Sequence, residues 1–310
     1  MSWSPAAIGD LTGRTALITG ANSGIGRQTA LVLAGHGARV LLAGRDERRL
    51  DEAASAIRAE VPASALGTVR LDLGSLASIR AAAGEVLTDG PLDLLINNAG
   101  VMNVPQRRTT ADGFELTFGT NHLGHFALTG RLMPALLAAP AARVVTVSAI
   151  ASRWRSGAFT DPMSERRYRP MAAYAKSKRA NVVFTRELAR RLGATSANVI
   201  AVAVHPGSAM TNLQQHTGGL LSRLVLPVLA RVAMGSPEGA AWPSLYAATA
   251  PAIAGGTFLG PAARRQDTGA PVPERLPRGA DDPAEGAALW ADSEQRTGVT
   301  FVFDRAAPRR

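Results

Sequence analysis

Short apolar runs alternate along the chain with longer stretches whose apolar residues recur at helical spacing. The short runs predict β-strands at Thr15–Thr19, Ala38–Ala43, Gly67–Leu71, Leu92–Asn97, Arg143–Ser148, Asn198–Val204 and Thr257–Leu259. Most of them lack polar alternation, the pattern of parallel strands covered on both faces. Between them the spacing predicts helices over Gly26–Ala34, Glu47–Glu60, Ser75–Leu87, Gly119–Ala138, Ala172–Leu192 and Pro237–Ala250. Strict alternation of strand and helix implies a doubly wound parallel sheet in a three-layer α/β/α architecture with right-handed crossovers.

Two regions interrupt this rhythm. Arg153–Met171 is a polar insertion between a strand and a helix, and residues 212–236 form an apolar excursion before the next helix. After residue 261 the chain is rich in Pro, Gly and Asp, which reads as a surface tail. That tail carries one short helix at Pro283–Thr297, with Asp282 as its cap and Pro283 at its first position. No linker divides the chain, so residues 1–310 read as a single α/β domain.

Composition narrows the function classes. The apolar fraction of 46% supplies a sizeable core. Arginines and prolines interrupt the longest apolar run, Gly218–Met234, and no signal-peptide pattern is present, so no stable membrane insertion is expected. The chain has no cysteine, which excludes a disulfide framework and a thiolate metal site; a cytoplasmic protein without a metal is expected. The net charge of +10 is carried almost entirely by arginines scattered along the chain. Nucleic-acid binders gather such charge on one face and interleave aromatics, and here only 5% of residues are aromatic. The charge reads as a solvated surface, with no nucleic-acid partner.

Two constellations carry chemistry. Strand Thr15–Thr19 runs into Gly20-Ala21-Asn22-Ser23-Gly24-Ile25-Gly26 and then a helix. Such a turn lets the backbone approach a pyrophosphate, and the helix N-terminus adds free N–H groups and a favourable dipole. Taken alone, the loop reads equally as a tight strand-to-helix turn, and only its context points to a ligand. Tyr174 and Lys178 stand four apart in a predicted helix, so they share a face. A free phenol titrates near ~10, and a cation held beside it lowers that value. The phenol can then give a proton to a carbonyl oxygen, or take one from an alcohol.

In this order, T-G-A-N-S-G-I-G (Thr19–Gly26), Asp72-Leu73, N-N-A-G (Asn97–Gly100), N-H-L-G (Asn121–Gly124), Y-A-K-S-K (Tyr174–Lys178) and P-G-S-A-M-T (Pro206–Thr211) resemble the short-chain dehydrogenase/reductase superfamily. The resemblance covers about Leu11–Gly260, and the insertion before Tyr174 is most similar to the retinol-dehydrogenase and WW-domain-oxidoreductase branch. It implies a Rossmann fold and an oxidoreductase interconverting a ketone or aldehyde with its alcohol. It places Gly20, Asn22, Ser23, Gly24, Ile25 and Gly26 around a pyrophosphate and Asp72 and Leu73 beside the adenine. Asn98, Ala99 and Gly100 fall on the cofactor's ribose side, and Pro206, Gly207 and Thr211 at the nicotinamide amide. Tyr174 is the implied acid–base and Lys178 its partner and ribose ligand, while Asn121 holds a water that relays protons from Lys178.

Three further readings follow. Strand Ala38–Ala43 leads into Gly44-Arg45-Asp46, where NAD-selective sites carry an acid; Arg45 favours a 2′-phosphate, hence NADP over NAD, although Asp46 follows it. The family's substrate-binding serine falls at Ala149 by register, leaving Ser148, on the opposite side of the strand, or the more distant Ser152. Two functions therefore stay open: a working oxidoreductase using Ser148 or no serine, and a redox-silent protein that keeps the fold. The excursion 212–236 falls where the family has its substrate lid, and its leucines and valines suit a lipophilic carbonyl or alcohol or simply pack onto the core. Relatives often dimerise through the helices matching Gly119–Ala138 and Ala172–Leu192, which admits a homodimer, but the Arg153–Met171 insertion could block the partner and the oligomeric state stays open.

Overall fold

The computed structural model describes residues 3–154, 159–207, 237–262 and 269–304. The strands are β1 (Thr15–Thr19), β2 (Arg39–Gly44), β3 (Leu66–Arg70), β4 (Leu94–Asn97), β5 (Ala142–Val147), β6 (Val199–Val204), β7 (Phe258–Pro261) and β8 (Pro271–Pro273). They form one sheet in the order β3-β2-β1-β4-β5-β6-β7-β8, parallel except for the antiparallel β7–β8 pair. The helices are α1 (Gly24–Gly35), α2 (Glu47–Glu60), α3 (Leu76–Thr88), the single turn α4 (Leu116–Phe118), α5 (Gly124–Ala138), α6 (Pro170–Gly193), α7 (Pro237–Thr249) and α8 (Pro283–Thr297).

Successive strand residues point to opposite faces, so each strand feeds two cores. Leu17, Leu41, Leu95, Val144 and Ala201 enter the core shared with α3, α5 and α6. Ala16, Ile18, Val40, Leu42, Ile96, Val145 and Val202 enter the core shared with α1, α2 and α7. This double burial is why the strands read as nearly continuous apolar runs.

The predicted helix Gly119–Ala138 is not one regular helix. Residues Gly119–Leu123 form a π-helical turn between α4 and α5. The fully buried Glu115 carboxylate caps α4, just before that turn, accepting from the N–H groups of Thr117 and Phe118 at 2.8 Å each. Gly124 then passes so close to the Leu73 carbonyl that a Cβ would lie 2.4 Å from its oxygen.

The tail departs most from expectation. Asp282 caps α8 through Ala284 N–H, and Pro283 opens it, as the sequence implies. The segment does not simply wrap the surface, however. Trp290, Val299 and Phe301 are buried in the α3/α5/α6 core, where Trp290 meets Phe126 at 5.1 Å and Phe184 at 5.9 Å between ring centroids. The nearly fully buried Arg179 of α6 grips Glu285 of α8 through two contacts of 2.5 and 2.7 Å. A Cβ on Gly130 of α5 would lie 2.6 Å from Val299. The chain's own C-terminal segment thus packs against α5 and α6. Burying three large apolar side chains stabilises this arrangement more than a solvated tail could.

Candidate active site

The sheet reverses its winding between β1 and β4, and in such folds the ligand crevice opens there, beyond the carboxyl ends of the strands. A cleft of about 500 Å³ lies at this point, bordered by the glycine loop, the residues after β2, β4 and β5, the start of α6, and Pro206–Gly207. Among the residues the sequence singled out, Gly20, Asn22, Ser23, Gly24, Ile25, Gly26, Arg45, Asp72, Leu73, Asn98, Ala99, Gly100, Ser148, Tyr174, Lys178, Pro206 and Gly207 all line it. Thr211 and the expected lid, 212–236, lie outside the described residues.

The glycine loop closes against the segment after β4. Gly20 takes a left-handed φ of 67°, and a Cβ there would meet Ala99 Cα at 3.0 Å. A Cβ on Gly26 would lie 2.5 Å from the Gly20 carbonyl oxygen. Ser23, the N-cap of α1, is extended and makes no side-chain capping bond, so the first-turn N–H groups are left for an anion. These features fit a dinucleotide's pyrophosphate.

A buried hydroxyl that the sequence reading missed holds the loop together. Thr19 Oγ1 accepts from Asn98 N–H and Ala99 N–H, both at 2.9 Å, and lies 2.9 Å from His125 Nε2. His125 Nδ1 lies 2.9 Å from the Asn121 carbonyl oxygen, which can only accept. The ring proton therefore sits on Nδ1, and Nε2 accepts from Thr19. Burial pushes the pKa of His125 down to about 4, which keeps the ring neutral. The clue in the sequence was the second histidine of N-H-L-G-H, one turn beyond Asn121.

At the adenosine end, Arg45 and Arg49 both line the cleft. Asp46 is engaged elsewhere, capping α2 by accepting from Arg49 N–H at 3.2 Å. Asp72 accepts from Gly74 N–H at 2.8 Å, while Ser75 caps α3.

At the other end, Tyr174 and Lys178 share one face of α6, with the Lys178 Nζ 5.9 Å from the Tyr174 ring centroid. Nζ donates to the Val147 carbonyl at 3.0 Å. Burial dominates both groups, raising the Tyr174 phenol above its ordinary range and lowering Lys178 to about 8. The lysine's expected depression of the phenol is therefore outweighed by desolvation. Asn121 uses both amide N–H bonds, donating to the Val101 carbonyl and Ser177 Oγ at 2.9 Å each, and accepts from Val101 N–H at 2.7 Å. Its side chain clamps the loop after β4 that carries Gly100. A Cβ on Gly100 would lie 3.1 Å from Asn121 Oδ1 and 3.4 Å from Lys178 Nζ, so glycine lets the three converge.

The serine question has a geometric answer. Ser148 extends β5 through its N–H to the Val204 carbonyl, and its nearly fully buried hydroxyl donates to the Lys178 carbonyl at 2.7 Å. That proton holds β5 to α6. Ala149, the next residue on the extended backbone, is the one that packs with Tyr174, Met102 and Met171. Ser152 is fully buried and does not border the cleft. Met102, Ile150, Trp154 and Met171 complete the wall beside Tyr174, and no periodicity in the polar insertion marked the last two of them.

Residues 14–218 match the family model described as short chain dehydrogenase. Human retinol dehydrogenase 13 is 40% identical over an alignment covering 96% of this chain and 88% of that protein. Mouse polyprenol dehydrogenase is also 40% identical, over 95% of this chain and 87% of that one. A crystal structure of an uncharacterised protein from Mycobacterium paratuberculosis superposes with a TM-score of 0.80 at 40% identity, covering 97% of this chain and all of that one. With the glycine loop, Tyr174 and Lys178 gathered on one cleft and Asn121 fully buried behind Gly100 rather than bordering it, the chain belongs to the short-chain dehydrogenase/reductase family, in its retinol-dehydrogenase-like branch, and is an NAD(P)-dependent alcohol/carbonyl oxidoreductase.

Proposed function

We propose that the protein interconverts a lipophilic ketone or aldehyde with its alcohol, using NADP(H) in preference to NAD(H). The observation that carries the cofactor preference is the division of labour after β2: Arg45 borders the cleft while the Asp46 carboxylate caps α2. An arginine there pairs with a 2′-phosphate, while the carboxylate that follows it is turned to the start of α2 and does not border the cleft. The apolar wall of Met102, Ile150, Trp154 and Met171 beside Tyr174 supports the lipophilic substrate, as do the names of relatives that act on retinol and polyprenol.

The bound nicotinamide supplies or accepts the hydride. Tyr174 gives its phenolic proton to the substrate oxygen in reduction and takes it back in oxidation. Lys178, at about 8 when buried, carries the nearby positive charge that favours phenolate and is placed to hold a ribose hydroxyl. Ala149 and the methionines exclude water from the reacting carbon.

The test is absorbance-monitored NADPH oxidation with a panel of aldehydes and ketones, beside NADPH and NADH affinities. Tyr174→Phe should abolish turnover and leave binding intact. Arg45→Ala should weaken NADPH at least tenfold and NADH little, since a charge-assisted bond is worth about 1.5–3 kcal/mol. Turnover unchanged in Tyr174→Phe would refute the acid–base role, and equal affinities for the two dinucleotides the NADP preference.

A further inference from the structure

The edge of the cleft beside Pro206–Gly207 holds a buried charged cluster that the hydride and proton transfers do not use. His205, the residue after β6, has a fully buried side chain. Its backbone N–H donates to the Leu259 carbonyl at 2.9 Å, so the residue continues the sheet. Its Nδ1 accepts from Gly207 N–H at 3.1 Å. Its Nε2 lies 3.0 Å from Glu274 Oε1, in a close but bent approach. Glu274, just beyond β8, is in turn ion-paired with Arg153, whose guanidinium sits 5.6 Å from the centre of the Phe258 ring.

We propose that His205 is a positioning residue that sets the Pro206–Gly207 turn for the nicotinamide end of the dinucleotide, and that Glu274 and Arg153 hold His205 in the tautomer this requires. The proposal rests on the dinucleotide reading of the cleft.

The tautomer follows from the partners. Gly207 N–H can only donate, so Nδ1 bears no proton, and the neutral ring carries its proton on Nε2, toward the carboxylate. A side-chain acceptor for the N–H two residues on is what Asn or Asp provides in an Asx turn, and the imidazole plays that part here. The turn takes Gly207 into a left-handed φ of 75°, which glycine adopts freely, and the bond from its N–H to the imidazole fixes which way the turn faces the cleft. Burial holds the His205 pKa below its usual value against the upward pull of the Glu274 carboxylate, with the Arg153 charge siding with burial, and Nδ1 stays an acceptor.

Gly260 shows how closely the cluster is built. A Cβ there would lie 2.1 Å from His205 Nε2 and 2.3 Å from Glu274 Oε1, so β7 must pass without a side chain for the two to meet. Arg153 also precedes Trp154 on the cleft wall. One carboxylate thereby ties the loop after β5, the turn after β6 and the strand β8 into one edge. Three segments distant in sequence are held in register at the place where the reacting ring must lie.

The experiment compares two ligands, NADPH and 2′-phospho-ADP-ribose, the same molecule without its nicotinamide. Binding is measured calorimetrically for the unmodified protein, His205→Phe, His205→Asn and Glu274→Gln. His205→Phe should weaken NADPH about tenfold, the worth of one hydrogen bond. It should leave the ring-less ligand within twofold. His205→Asn, whose amide oxygen can accept from Gly207 N–H, should recover most of the NADPH affinity. Glu274→Gln should lower it about threefold with the same selectivity for the ring-bearing ligand, and it carries the test if His205→Phe does not fold. Equal weakening of both ligands would overturn the proposal and leave a purely structural cluster. So would unchanged NADPH affinity in folded His205→Phe. If the unmodified protein binds neither ligand, the dinucleotide reading fails first, a result distinct from loss of the split.

Discussion

Thr19→Val removes one buried hydroxyl while keeping the shape and strand preference of the side chain. In the structure that hydroxyl lies 2.9 Å from each of Asn98 N, Ala99 N and His125 Nε2. Asn98 N–H keeps a second acceptor in the Ile96 carbonyl at 3.0 Å. Two groups are therefore left without a partner, Ala99 N–H and His125 Nε2. A buried polar group so stranded costs about 1–3 kcal/mol, and the pair about 2–6 kcal/mol. Thr19→Ser keeps the hydroxyl and loses only a methyl, at about 1 kcal/mol. Urea unfolding of the three proteins, with unchanged m-values, measures the difference directly. Because Asn98 and Ala99 border the cleft, the valine variant should also bind NADPH about tenfold more weakly, and the serine variant should not. A valine variant within 1 kcal/mol of the serine variant would show that the network does not hold the loop.

Other outcomes follow from the same geometry. Ala149→Ser places a donor beside Tyr174, where Ser148 cannot serve, and should raise kcat for carbonyl reduction about 10²-fold, a typical worth for one such donor; an unchanged kcat would show that the reaction needs no hydroxyl there. Trp290→Ala opens the core under α8 and should cost about 3–5 kcal/mol in denaturant unfolding with the Tyr174 chemistry intact in the folded fraction. Acid should destabilise the fold before most carboxylates titrate. Burial lowers His122 to about 3 and His125 to about 4, so below about 6.5 the unfolded chain binds protons that the native state refuses. Stability contributed by their neutrality is complete above that pH and falls as pH drops toward the folded values. The two together remove about 3 kcal/mol between pH 6.5 and 5, and a slope below one proton near pH 5 would contradict their burial as neutral rings.

Local pattern carried much of this protein. Unbroken apolar runs and period-3.6 spacing located β1 and α2 to the residue and the other long elements to within a few, because the strands are covered on both faces and surface helices such as α2 on one. The glycine loop and the Tyr174–Lys178 spacing were equally legible, since a left-handed turn and a shared helix face are properties of a few neighbouring residues. Strand β8 was not legible: its prolines, Pro271 and Pro273, are poor strand formers tolerated at an antiparallel edge. The π-helical turn at Gly119–Leu123 was also hidden, because its apolar residues keep helical spacing while the close approach of Gly124 to Leu73 that follows it is a tertiary contact.

What the sequence by itself determined was the order of elements, the three-layer winding and the identity of most of the groups that border the cleft. What only the tertiary structure decided was where individual protons and charges point. Ser148 turns to the Lys178 carbonyl and leaves Ala149 at the cleft; Asp46 turns to α2 and leaves Arg45; Thr19 reaches His125, and Glu274 reaches His205 and Arg153. Several of these partners lie 30 or more positions apart, and the site's outcome depends on hydrogen bonds of about 3 Å whose direction reverses with one residue of register. Periodicity records which face of an element is buried, but it carries no record of which distant atom will satisfy a buried polar group. That pairing is made only when the chain has closed on itself, because desolvation then forces each donor and acceptor to find a partner.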